Sequence, residues 1–119
     1  MHFVIADRQH STRSALKLFL GQYPGLEFTG ESGDIEGTIK LSAQPGVGLV
    51  LVEWEILGPN QKESIAKIKV PRNPAVLVLG CCLQRSLPLE AGADFYISKT
   101  DKPDRLASVI HQIQSQARQ

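Results

Sequence analysis

Four charged side chains stand where short apolar runs end. Asp7 and Arg8 follow Phe3–Ala6, Glu53 follows Leu49–Val52, and Lys99 comes just after Phe95–Ile97. Side chains of these types can pair as ions or hold a charged ligand between them. Arg8 is a permanent cation and cannot ligate a metal. Taken formally, Asp7 and Glu53 against Arg8 and Lys99 make a neutral set, so Glu53 is expected to pair with Lys99, Arg8 or both. Glu55 adds a further acid two residues on, and Gly80, after Ala75–Leu79, offers no side chain at all. Singly, each charge reads as a solvated loop residue, so a site exists only if the fold brings the run ends together. The adjacent Cys81 and Cys82 are poorly placed to bond each other, because disulfides prefer unstrained Cα separations. One or both read as small buried hydrophobes, with no His or Cys at ligand spacing beside them. His10 falls in a loop or a first helical turn, Trp54 reads as partly buried packing, and His2 and His111 as surface residues.

The hydrophobic pattern says that the run ends converge. Phe3–Ala6, Leu49–Val52, Ala75–Leu79 and the weaker Phe95–Ile97 are rich in Val, Ile and Leu and are bounded by polar residues or Gly. Runs apolar on both faces suit buried parallel strands. Leu26–Thr29 alternates and reads as an edge strand. Helical periods lie between the runs. Ala15, Leu16, Phe19 and Leu20 form one, closed by Gly21 and Pro24; Ile35, Ile39 and Leu41 form a second behind Asp34 as N-cap. Asn60 and Glu63 resemble a capping box ahead of Ile65 and Ile68. Leu106, Val109, Ile110 and Ile113 form the clearest stripe, with Pro103 in its first turn. Cys81–Glu90 holds Pro88 and predicts a stub or loop in place of a full fourth helix, and the polar tail Gln112–Gln119 is expected to fray. Strands alternating with helices imply a doubly wound sandwich, whose chemistry sits at the carboxyl ends of the strands.

Composition sets the outer limits. The 119 residues suit one domain, 1–119, with 42% hydrophobic residues. Thirteen basic and 12 acidic residues give a formal net charge of +1, without the basic excess that nucleic acid or an anionic membrane selects. No apolar run approaches a membrane span, and Asp7 interrupts any signal-peptide reading of the N-terminus. A cytoplasmic protein is the expectation.

Three segments resemble the response-regulator receiver (CheY-like) family. Val4-Ile5-Ala6-Asp7-Arg8-Gln9-His10-Ser11-Thr12-Arg13 is similar to the receiver opening, where a strand ends in two acids. Leu49-Val50-Leu51-Val52-Glu53-Trp54-Glu55-Ile56-Leu57-Gly58 resembles the strand and loop around the phosphate-accepting aspartate. Ala91-Gly92-Ala93-Asp94-Phe95-Tyr96-Ile97-Ser98-Lys99 resembles the segment that ends in the family's lysine. The resemblance implies a five-stranded parallel sheet in a flavodoxin-like, three-layer α/β sandwich, here with the fourth helix shortened or absent. It also implies a site in which an aspartate takes a phosphoryl group from a partner kinase's phosphohistidine with a divalent metal present. Asp7 matches the first acid and Lys99 the lysine, and Tyr96 matches the aromatic switch position. Arg8 stands in place of the second acid, Glu53 in place of the acceptor, and Gly80 in place of the hydroxyl residue. Glu55 belongs to the same degenerate acidic pocket. With these departures the resemblance implies an atypical pseudo-receiver, and neither magnesium nor another cofactor is expected.

The function expected is non-enzymatic: a module of two-component-type signalling that works by protein–protein contact without phosphorylation. The fourth helix, fifth strand and fifth helix would form the surface for a homodimer or a protein partner, a histidine kinase or an output protein among them. Leu83, Leu87 and Leu89 are candidate anchors. Glu53 as a poor but authentic phosphate acceptor is the alternative. A small-ligand module stands behind both, because Arg8-Gln9-His10-Ser11 holds no glycine to cradle a phosphate. Neither nucleic acid nor membrane is an expected partner of this domain.

Overall fold

Strand and helix alternate from the first residue onward in this computed structural model, which describes residues 1–81 and 84–117. The order is β1 (His2–Ala6), α1 (His10–Leu20), β2 (Glu27–Ser32), α2 (Ile35–Ser42), β3 (Val47–Glu53), α3 (Gln61–Lys69), β4 (Ala75–Gly80), α4 (Ser86–Glu90), β5 (Phe95–Ser98) and α5 (Pro103–Ala117). A 3₁₀ turn, Trp54–Leu57, follows β3. All strand pairings are parallel, in the order β2-β1-β3-β4-β5, so the fold is the expected doubly wound α/β sandwich.

The two-residue period of the strands divides the core by side-chain size. Phe3, Ile5, Leu49, Leu51, Leu77, Leu79 and Ile97 face one side, where the stripe Leu106, Val109, Ile110 and Ile113 of α5 closes over them. Val4, Ala6, Val50, Val52, Val76 and Val78 face the other, covered by Ile65 and Ile68 of α3 and filled out by Tyr96. Small strand residues on that second side leave volume that an aromatic ring occupies.

Helix starts follow local chemistry. Asp34 accepts the N–H of Gly37 at 2.7 Å, and Asn60 accepts that of Glu63 at 3.2 Å. Glu63 returns its carboxylate to the Asn60 side-chain amide at 2.9 Å, so the box closes side chain to side chain. Gly58 closes the 3₁₀ turn at φ 75°, a conformation that L side chains rarely adopt.

Three sequence expectations need adjustment. The edge strand runs over Glu27–Ser32 and not Leu26–Thr29, because pairing with β1 carries it past Gly30, with a register irregularity after Phe3. The tail does not fray at Gln112: α5 stays helical to Ala117, held where Ile113 is buried and Gln114 donates to the Pro24 carbonyl at 2.9 Å. Cys81 is exposed and not a buried hydrophobe, because it stands just past the end of β4. The fourth helix, by contrast, is the expected stub, five residues with Pro88 buried inside it; Cys82 and Leu83 lie outside the described residues.

Candidate functional site

The strand ends do converge. Because β1, β3 and β5 run parallel with β3 beside β1, Asp7, Glu53 and Lys99 meet at one edge of the sheet. Asp7 follows β1 directly and is fully buried. Glu53 is the last residue of β3, on the side of Leu49 and Leu51, and is 2% exposed. Two acids this deep require partners, since an isolated buried carboxylate is strongly disfavoured.

The partners come from β1 and β5. Arg8 donates three hydrogen bonds to Glu53: main-chain N to Oε1 at 3.1 Å, Nε to Oε1 at 2.9 Å, and Nη2 to Oε2 at 3.3 Å. The guanidinium therefore grips both carboxylate oxygens, a geometry that lysine lacks. From the opposite side Lys99 Nζ donates to Glu53 Oε2 at 2.9 Å and lies 2.9 Å from Asp7 Oδ2. The contact with Asp7 is ionic in character, because its direction falls outside hydrogen-bond geometry and leaves Oδ2 without a hydrogen-bond donor. Asp7 Oδ1 accepts the N–H of Gln9 at 2.8 Å, turning the chain into α1. All four carboxylate oxygens thus have a cation or a donor within reach.

Burial alone would raise the Glu53 carboxyl, but the bonds from Arg8 and Lys99 outweigh it and hold it at about 2. Burial opposes the Lys99 ammonium, yet Asp7 and Glu53 raise it above the ordinary lysine value. Arg8 is raised as well, chiefly by its bond to Glu53. Glu53, Arg8 and Lys99 are therefore charged across the physiological range.

The other expected positions arrange around this core. Glu55, in the 3₁₀ turn, lies 4.0 Å from Arg8 Nη2, at the solvent side of the guanidinium. Gly80 ends β4, where its carbonyl accepts the Lys99 N–H at 2.8 Å. Tyr96 is turned inward, 7% exposed, with its hydroxyl 3.4 Å from the same Gly80 carbonyl. Trp54 is half-buried against the valine side of the core, and His10 opens α1.

Sequence reasoning passed over Arg13 and Glu31. Arg13 Nη1 donates to the Asp7 carbonyl and its Nε to Glu31 at 3.1 Å, while Lys17 Nζ reaches Glu31 at 3.1 Å. Those two cations hold the Glu31 carboxyl below its usual range. This network fixes the main chain just behind the ion cluster. The i, i+4 spacing of Arg13 and Lys17 was the available signal, but their common partner on β2 is a tertiary fact.

No family model matches the sequence, and no curated protein matches it. Solved structures do. A two-component response regulator from Clostridium difficile superimposes with a TM-score of 0.84 at 16% identity, over 100% of this chain and 99% of that one. A LuxR-family response regulator from Aurantimonas sp. gives 0.82 at 19% identity, over 96% and 84% of the two chains. CheY6 of R. sphaeroides, solved in complex with the P1 domain of CheA3, gives 0.81 at 18% identity over 96% of each chain. Likeness at such identities speaks of backbone architecture, and on it the chain has the fold of a response-regulator receiver domain, the CheY-like five-stranded α/β sandwich.

Proposed function

We propose that this domain is an atypical receiver of two-component-type signalling, acting through protein contact without phosphorylation and without catalysis of its own. The single observation that carries the reading is the engagement of Glu53 by three donors of Arg8 and by Lys99. A hard divalent cation needs free carboxylate oxygens. Here Arg8 and Lys99 hold both oxygens of Glu53, and Lys99 and the Gln9 N–H hold those of Asp7. The residues present therefore do not fit the metal that the fold family implies, and no phosphoryl transfer is derived through it.

Tyr96 bears on the output surface. Turned inward beneath the Gly80 carbonyl, its ring does not add to the face of α4, β5 and α5, where Leu87 and Leu89 are exposed. That face, with a second copy or another signalling protein as the occupant, is the contact surface of the reading; the P1 domain of CheA3 is what CheY6 is bound to in its structure.

The test is incubation with acetyl phosphate and magnesium followed by intact-mass measurement. The unmodified mass throughout is the expected result. A phosphorylated species that disappears in Glu53→Gln would replace this reading with that of an authentic acceptor.

A further inference from the structure

Between α1 and α5, beside the ion cluster but outside it, a cleft of ≈ 480 Å³ opens on the sheet. Leu79, Ile97 and Leu106 make its floor, and Leu16 and Phe19 stand half-buried along its α1 wall. Ala15 on the same wall is small and exposed, so the space is not filled from α1. A volume of this size falls in the range of roughly 300–1,000 Å³ that holds small organic ligands, and apolar walls with few polar groups are their usual environment.

The rim supplies charge. Lys99 is drawn inward to Asp7 and Glu53, and Asp101 turns back to accept the Ser98 N–H at 2.9 Å. Lys102 is exposed, and no acid lies within ion-pair distance of it among the described residues. An apolar trough under one uncommitted ammonium is complementary to a molecule with an apolar body and a single anionic head. We propose that the cleft is a binding site for a small apolar carboxylic acid, its body against Leu16, Phe19 and Leu106 and its carboxylate at Lys102. The proposal stands apart from the reading of Glu53, because Lys99 alone of the ion cluster lines the cleft.

The experiment titrates ¹⁵N-labelled full chain with 4-phenylbutyrate and, in parallel, with its uncharged analogue 4-phenylbutanol. Saturable amide shifts are expected at Ala15, Phe19, Ile97 and Leu106, with the alcohol weaker by about three- to fivefold, the value of one exposed charge contact. Lys102→Gln should remove the difference between acid and alcohol. Ala15→Trp should abolish both responses while the remaining spectrum keeps its dispersion, and Ala15→Leu serves where the larger ring disturbs the fold. Absence of saturable shifts, or shifts that persist when the cleft is filled, would overturn the proposal. So would a cleft that answers only to the helix of a protein partner and not to the acid.

Discussion

At the residue scale the central fact is a carboxylate made strongly acidic by its neighbours. Glu53 has its folded value depressed from 4.5 to about 2. A depressed acid contributes stability that is complete above the unfolded value and is lost as pH falls through the folded one. Unfolding free energy should therefore decline between about pH 4.5 and pH 2 by on the order of 3 kcal/mol from this group. Urea titrations across that window should show the decline in the natural chain and a flatter course in Glu53→Gln. Arg8 faces solvent, so its loss costs less than that of a wholly buried partner. Arg8→Ala should lower the urea midpoint relative to the natural chain, because Glu53 loses both charged side-chain donors of Arg8. Because it leaves Asp7 and Glu53 facing Lys99 alone, the same variant should gain a measurable manganese affinity by calorimetry. A fully stable, cation-indifferent variant would contradict the role given to Arg8. The meeting of Asp7, Arg8, Glu53 and Lys99 was legible from charged residues at the ends of apolar runs. Their detailed bonding was not, since which oxygen meets which nitrogen depends on strand order and on the chain's turn after Asp7.

At the scale of elements, caps and stripes carried most of the information. Asp34 and Asn60 cap as their spacing predicts, so Asn60→Ala should cost roughly 1 kcal/mol in thermal or urea unfolding. A variant as stable as the natural chain would show that tertiary packing alone sets the start of α3. The fourth helix was readable as a stub because Pro88 lacks an N–H and restricts the residue before it. What stayed hidden was governed by tertiary contact. β2 extends through polar Gly30–Ser32 because β1 pairs with it, and α5 outruns its apolar stripe because Gln114 finds the Pro24 carbonyl. The 3₁₀ turn after Glu53 leaves no period to read, though it is what brings Glu55 beside Arg8.

At the scale of the whole molecule, alternation of strand and helix was enough to expect the doubly wound sheet, and it places every strand end of interest along one edge. The proposed partner face lies at the far edge of that sheet, joined to the ion cluster through Gly80, whose carbonyl meets both Lys99 and Tyr96. Replacing the exposed Leu87 and Leu89 together by Glu should abolish any self-association seen by light scattering at micromolar concentration, with the circular dichroism spectrum unchanged. Association that survives the double variant would move the contact elsewhere. In the proposed function an internal ion cluster stands in place of a metal and phosphate site. Its most direct test is a titration of the ¹⁵N-labelled chain with magnesium and then beryllofluoride, followed at the amides of Arg8, Glu53 and Lys99. No saturable shift is expected at these three positions at millimolar magnesium, with or without beryllofluoride. Saturable, magnesium-dependent shifts there would contradict it.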